Sequence, residues 1–307
     1  MNSRSQFKQL VQFVFLFILP LKLLAFSSTS DVIGGLPLSD NINVSQYAPV
    51  NTNNVPEVLI SRDVYLLSIN PQKRLLNWAA WKIEASDMGT VGRSNKFNQD
   101  PDLETYLSAR DQHAIQKDDY LGSCFDRGHQ VPSADRTTTL PLNELTFLMS
   151  NMIPQTAFLN RGMWAHLEHY SRELVRSEGK KVYIISGPIY DEDFGAIGKN
   201  GDIPVPSKNF KILIYVNKDQ DINDQNVKPD IIAVVMPNIL RTGEKPHLNK
   251  EELCKESSFG PGAPNSGDTT AATPVNQDDW KQYQVSPAEV ERLSGFKISH
   301  ITGPAGE

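Results

Sequence analysis

Cysteine is nearly absent from this 307-residue chain: Cys124 and Cys254 are the only two. They are too far apart for zinc-site spacing, so any metal held here must rest on oxygen ligands. An excess of basic charge is missing as well, with 30 Lys and Arg against 36 Asp and Glu and a formal net charge of −6. That balance argues against a tight nucleic-acid binder, whose affinity comes largely from releasing counterions off phosphates. A turnover enzyme is less constrained, because it must release product and can concentrate a few arginines at a cleft. The chain has no internal repeat. Its uninterrupted apolar runs fall short of the roughly 20 residues a membrane-spanning helix needs. What it does have is 39% hydrophobic residues, enough for a substantial core.

The first 26 residues have the order of a secretory signal. Arg4 and Lys8 precede the apolar run Leu10 to Leu19, Pro20 and Lys22 interrupt it, and small residues follow at Ala25, Ser27 and Ser28. Export to a secreted or periplasmic location is therefore expected, with no lasting membrane association after cleavage. Removing this segment takes away three cations and leaves a net charge of about −9. An oxidising compartment would allow Cys124 and Cys254 to pair, closing a loop of about 130 residues worth roughly 4 to 5 kcal/mol in the chain-entropy model; two free thiols are the other reading.

Residues 27–56 are rich in Ser, Asn, Pro and Val without periodicity and read as an N-terminal lead-in, and a single domain is expected over 57–307. Short β-prone runs at 58–60, 64–69 and 75–83 predict an antiparallel meander. Met163, Leu167, Tyr170 and Leu174 recur at helical spacing within a helix expected from Phe158 to Gly179. Strands return at 181–186, 210–216 and 231–236. Ser286-Pro287-Ala288-Glu289 has the N-cap, first-turn proline and capping-box glutamate of a short helix ending near Gly295. Residues 257–279, poor in large apolar side chains, are expected to form a flexible surface insertion. The sum is an α+β fold with antiparallel sheets.

Reactive side chains are densest at Asp126-Arg127-Gly128-His129, followed by Asp135 and Arg136. Histidine can take a proton from water at neutral pH and arginine can clamp a phosphate, a combination suited to phosphodiester hydrolysis. A surface turn with a salt bridge is the alternative for this string alone. Further along come Asn151-Met152-Ile153-Pro154-Gln155 and then Asn160-Arg161-Gly162-Met163-Trp164, with Glu168 and Arg172 beyond. Positions 160, 164, 168 and 172 are successive i, i+4 neighbours, so Asn160, Glu168 and Arg172 are expected to face one cleft. An amide oxygen with a carboxylate suits hydrated Mg2+, which takes few protein ligands.

These two segments, 126–136 and 151–168, resemble the signatures of the DNA/RNA non-specific endonuclease family, and the similarity extends over most of residues 57 to 300. The resemblance implies a ββα-metal core with His129 as general base and Asn160 as the direct ligand of Mg2+ or Mn2+. It implies that Glu168 holds the metal through water and that Arg127, Arg172 and, less securely matched, Arg93 contact phosphate. Asp126, Asn151 and Gln155 match supporting polar residues. DNA and RNA would then both be substrates, engaged through the phosphate backbone and cut to 5′-phosphate ends. A non-catalytic nucleic-acid-binding protein, or a periplasmic interaction protein retaining the fold, is the competing reading. His166, His169, Trp78 and Trp81 are expected to be packing or solvent-facing residues, not ligands.

Overall fold

Strand alternation sets the architecture. In the run Leu75–Ile83, Trp78 and Ala80 pack on one side while Ala79, Trp81 and Ile83 pack on the other, and all are buried. A strand buried on both faces must lie inside a sheet covered above and below. The computed structural model, which describes residues 31–41, 48–222, 224, 226–259 and 278–298, shows such a sheet. The expected signal segment 1–26 and residues 260–277 of the expected insertion lie outside the described residues.

Seven strands make up this sheet: β1 (Asp31–Ile33), β2 (Val58–Arg62), β3 (Tyr65–Asn70), β4 (Leu75–Ile83), β7 (Lys180–Ile189), β10 (Lys208–Asn217) and β11 (Asp230–Pro237). Their spatial order is β1-β2-β3-β4-β7-β10-β11, antiparallel throughout except for the parallel edge pair β1 and β2. Two small antiparallel pairs stand apart, β5 (Asp126–His129) with β6 (Met152–Gln155) and β8 (Ala196–Ile197) with β9 (Ile203–Pro204). The helices are α1 (Pro101–Ser108), α2 (Leu140–Leu145), α3 (Ala157–Arg161), α4 (Met163–Arg176), α5 (Lys250–Ser258) and α6 (Pro287–Ser294). This mixed helix and sheet structure, with antiparallel sheets, is the α+β class its patterning implies.

Each sheet face has its own apolar cluster. One gathers Ala79, Trp81, Leu213, Trp164, Leu167 and Leu174 beneath α4, and the small β5–β6 pair joins it through Met152 and Ile153. The other gathers Trp78, Ile185, Ile212 and Ile214 beneath Val290 of α6, Phe296 and Ile298. On that second face the last described segment is tied back to the stretch between β1 and β2: Val50 and Lys297 exchange backbone hydrogen bonds of 2.8 and 2.9 Å.

Local signals explain several boundaries. The Ser286 side chain caps α6 at the Glu289 N–H, and Gly295 takes the left-handed conformation, φ 79°, that ends it. Two outcomes differ from the sequence expectation. Residues 31–33, inside the stretch without periodicity, form edge strand β1 against β2. The helix expected from Phe158 to Gly179 is broken at Gly162 into α3 and α4. There the chain passes so close to the Phe158 carbonyl that a Cβ would sit 2.6 Å from its oxygen, a contact only glycine permits. Asn160 therefore rides on its own short helix, out of the i, i+4 stripe assumed for it.

Candidate active site

The antiparallel pair β5–β6, followed by α3 and α4, carries the site. Alternation along β5 sends Asp126 and Gly128 to one side and Arg127 and His129 to the other. Gly128 lies opposite Ile153, against the side chain of Gln155, into which any Cβ at 128 would run. Close packing of strand against side chain thus accounts for the glycine in the motif. Gln155 is fully buried, and neither its amide nitrogen nor its oxygen has a protein partner.

On the other side of β5, His129 and Arg127 meet two aromatic rings. Phe97 and Phe147 pack edge to face at 5.1 Å, held together by backbone hydrogen bonds that join Asn98 to Phe147 and Met149. The His129 ring lies edge-on to both, at 5.7 and 4.9 Å. The Arg127 guanidinium stacks over Phe97 at 4.0 Å, and that of Arg93 over Phe147 at 4.8 Å. Arg93 also donates to Ser133 Oγ and Asn95 Oδ1. Among the described residues neither arginine makes a salt bridge, although the Glu168 carboxylate acts on Arg93 from farther off.

His129 is 7% exposed, and Nε2 has no protein partner. Burial, reinforced by the Arg93 cation, pushes its pKa down to about 3, while a hydrogen bond to the Arg127 backbone acts in the opposite sense. The ring is thus neutral at physiological pH, with Nε2 unengaged. The Trp164 indole donates to the His129 carbonyl at 3.3 Å and anchors the strand end to α4.

Asn160 faces Asp126. Its amide nitrogen donates to Asp126 Oδ2 at 2.8 Å, and no described residue donates to its Oδ1. Asp126 is held in turn by Arg161, through Nε to Oδ2 at 2.8 Å and Nη2 to Oδ1 at 2.6 Å. Arg161 also donates to the carbonyls of Ser257 and Phe259 at the end of α5. Cys254 of α5 is disulfide-bonded to Cys124, two residues before Asp126. No group of three His, Cys, Asp or Glu able to hold a metal occurs among the described residues. The donor set is one amide oxygen with a carboxylate nearby, which fits a cation that keeps most of its water.

Glu168 projects from α4 toward Lys211 of β10, with Oε1 3.6 Å from Nζ. Lys211 is almost fully buried, its ammonium 3.9 Å from the Trp164 ring centroid and 5.8 Å from that of Trp81. Burial raises the Glu168 pKa, and the cations of Lys211 and Arg172 counter it; burial likewise lowers that of Lys211. Arg172 is drawn away to the fully buried Asp135, at 3.0 Å, whose other oxygen accepts from Trp81 Nε1 at 2.9 Å. Asn151 is also fully buried; it accepts from the Val131 N–H and donates to the carbonyls of Val131 and Thr146. It shapes the turn after His129. Trp78 and Trp81 are core residues, and His166 pairs with Asp279 at 3.0 Å.

The structure therefore brings His129, Arg93 and Arg127 onto one aromatic platform and Asn160 onto Asp126, with Glu168 on the neighbouring face of α4. Arg161 and Lys211 were not singled out from sequence. Lys211 had a visible signal: a lysine at an inward-facing position of an otherwise apolar strand, Phe210 to Val216.

This arrangement defines a class of enzyme, and comparison with known proteins agrees. Residues 45–303 match the family model described as DNA/RNA non-specific endonuclease, and the chain belongs to that family of nucleases. A nuclease from Nostoc sp. is 34% identical over 249 residues, covering 80% of this chain and 74% of its own. The Serratia marcescens nuclease is 32% identical over 178 residues, or 56% and 64% of the two chains. Human mitochondrial endonuclease G is 33% identical over 168 residues, or 51% and 54%. A solved structure of an EndoG/EndoGI complex shares the fold with a TM-score of 0.55 at 23% identity, covering 80% of this chain and 86% of that one.

Proposed function

We propose that this nuclease hydrolyses phosphodiester bonds in both DNA and RNA without strong base preference, using His129 as general base and a divalent cation, Mg2+ or Mn2+, held at Asn160. The observation that carries the reading is the neutral, buried His129 with a free Nε2 beside two arginines that are in no salt bridge.

Nε2 accepts the proton of an attacking water, and the phosphate's negative charge offsets the burial that disfavours the imidazolium. The ring is oriented by its contact with the Arg127 backbone and by the edge-on packing of Phe97 and Phe147. Arg93 and Arg127 contact phosphate oxygens through charge-assisted hydrogen bonds, which carry no information about the base. With its nitrogen occupied by Asp126, Asn160 would offer Oδ1 to the cation, and Glu168 would hold it through water. When bound, the cation supplies Lewis-acid stabilisation of charge on the reacting phosphate. Arg172 serves mainly to hold Asp135 and α4, with any phosphate contact secondary. By likeness to the family, the products carry 5′-phosphates.

Digestion of plasmid and RNA by the purified chain with Mg2+, with EDTA, and with His129→Ala tests this. Cation-dependent cleavage of both substrates that collapses in the variant is expected, by about a hundredfold or more. Equal cleavage by the variant, or none by the wild type, would overturn the assignment. Export is proposed from residues 1–26; among the described residues no helix is long and apolar enough to cross a membrane. N-terminal sequencing of the protein recovered outside the cytoplasm should begin beyond Ala25, and a retained Met1 would refute cleavage.

A further inference from the structure

Asn160 stands at the end of a closed chain of contacts whose other members lie outside the reaction. Its nitrogen is fixed by Asp126 Oδ2. Both Asp126 oxygens are gripped by Arg161, whose remaining N–H groups reach the Ser257 and Phe259 carbonyls at the end of α5. The helix α5 returns to the start of the circuit through Cys254 and its bond to Cys124, two residues before Asp126. The Glu256 carboxylate adds a further tie by accepting from the Arg241 N–H at 2.7 Å, and the Arg241 guanidinium packs over Phe158 of α3, 5.1 Å from the ring centre.

We propose that Arg161 is a positioning residue for the cation site, and that the Cys124–Cys254 bridge braces it, so that cation affinity depends on the thiol–disulfide state of the chain. This inference rests on Asn160 being the cation ligand. Arg161 never reaches the reacting atoms; it acts through Asp126. Without it, Asp126 is free to turn, the Asn160 amide loses its fixed orientation, and Oδ1 is presented in the correct direction only part of the time. An arginine suits the task because its planar fork spans both oxygens of one carboxylate and still has N–H groups for two carbonyls.

The bridge enters because the two sides of Arg161 belong to segments far apart in sequence. Asp126 lies on β5, and the carbonyls lie on α5, roughly 130 residues later. The disulfide makes the two move together. A dithiol reductant would open it by transferring two electrons and two protons, giving Cys124 and Cys254 thiols while the reductant closes to its own cyclic disulfide. The end of α5 could then drift from Arg161 with the rest of the fold intact.

Titration of Mn2+ into the metal-free full chain, by isothermal calorimetry and by the electron paramagnetic resonance of free Mn2+, tests this directly. Asn160→Ala serves as the control for the underlying reading. Arg161→Gln should weaken Mn2+ binding by about tenfold or more, the usual effect of removing an outer partner of a metal ligand. Arg161→Lys should recover part of the loss, and kcat at saturating Mn2+ should return close to the wild-type value. Reduction, or Cys124→Ser with Cys254→Ser, should weaken binding in the same direction.

If Asn160→Ala abolishes binding while Arg161→Gln, folded by its thermal melt, binds as wild type does, the positioning role is overturned and the ligand assignment stands. If Arg161→Gln does not fold, undiminished affinity in both Arg161→Lys and the reduced protein overturns it instead. Affinity unchanged by reduction alone removes the brace. Wild-type affinity in Asn160→Ala would bring down the ligand assignment itself, and this inference with it.

Discussion

Burial of His129 has a cost that can be measured without any substrate. The unfolded chain carries a histidine of ordinary pKa, 6.5, whereas in the folded protein it lies near 3. Between those values the unfolded state binds a proton that the folded state refuses. The folded state is therefore at full strength above pH 6.5 and loses ground as the pH falls through that value. From about pH 7.5 to about pH 5 the loss amounts to roughly 2 kcal/mol, about 1.4 kcal/mol for each pH unit once well below 6.5. His129→Gln keeps a polar side chain of similar reach and removes the titration. Urea unfolding of both proteins at the two pH values gives the difference, and because Glu168 and every other titrating group are common to both, their contributions largely cancel. Wild type should lose about 2 kcal/mol more than the variant on acidification. Parallel losses would refute a neutral, desolvated His129 and the free base with it.

Three other perturbations separate roles that sequence alone runs together. Gly128→Ala should destabilise the fold by about 1 to 3 kcal/mol through collision with Gln155, and truncation to Gln155→Ala in the same chain should relieve part of it in thermal melts. Lys211→Met should cost roughly 3 kcal/mol by stranding Glu168, and combining it with Glu168→Gln should cost less than the sum of the single changes; strict additivity would mean that the pair does not interact. Arg127→Ala should raise KM for DNA with little change in melting temperature, whereas Arg172→Ala should lower the melting temperature by leaving Asp135 without its cation, a contrast readable by kinetics and calorimetry on the same preparations.

Much of this was legible because local chemistry and tertiary packing agree. The bounds of β4 follow from its apolar run, and those of α6 from Ser286, Pro287 and Gly295. The motif residues His129 and Asn160 stood out because their types suit the chemistry. Elements whose signal is not apolar periodicity were missed. Asp100 caps α1 and Pro101 opens it, but only Leu103 and Leu107 are buried along it, too few to mark a helical face. Helix α5 buries only Leu253 and Glu256, too few inward positions to mark a helical face. The break at Gly162 depends on a backbone approach that no periodicity reveals. Arg161 carries no signal of its own, because its partners come from β5 and from carbonyls almost a hundred residues further on, and carbonyls leave no mark in a sequence.

The backbone exchange between Val50 and Lys297 pins the last described segment to the stretch between β1 and β2. That junction lies against the sheet face covered by α6, while the candidate site is built over the opposite face. Attachment to a support through the junction would accordingly leave the candidate site turned outward, open to a long polymer that approaches from solution.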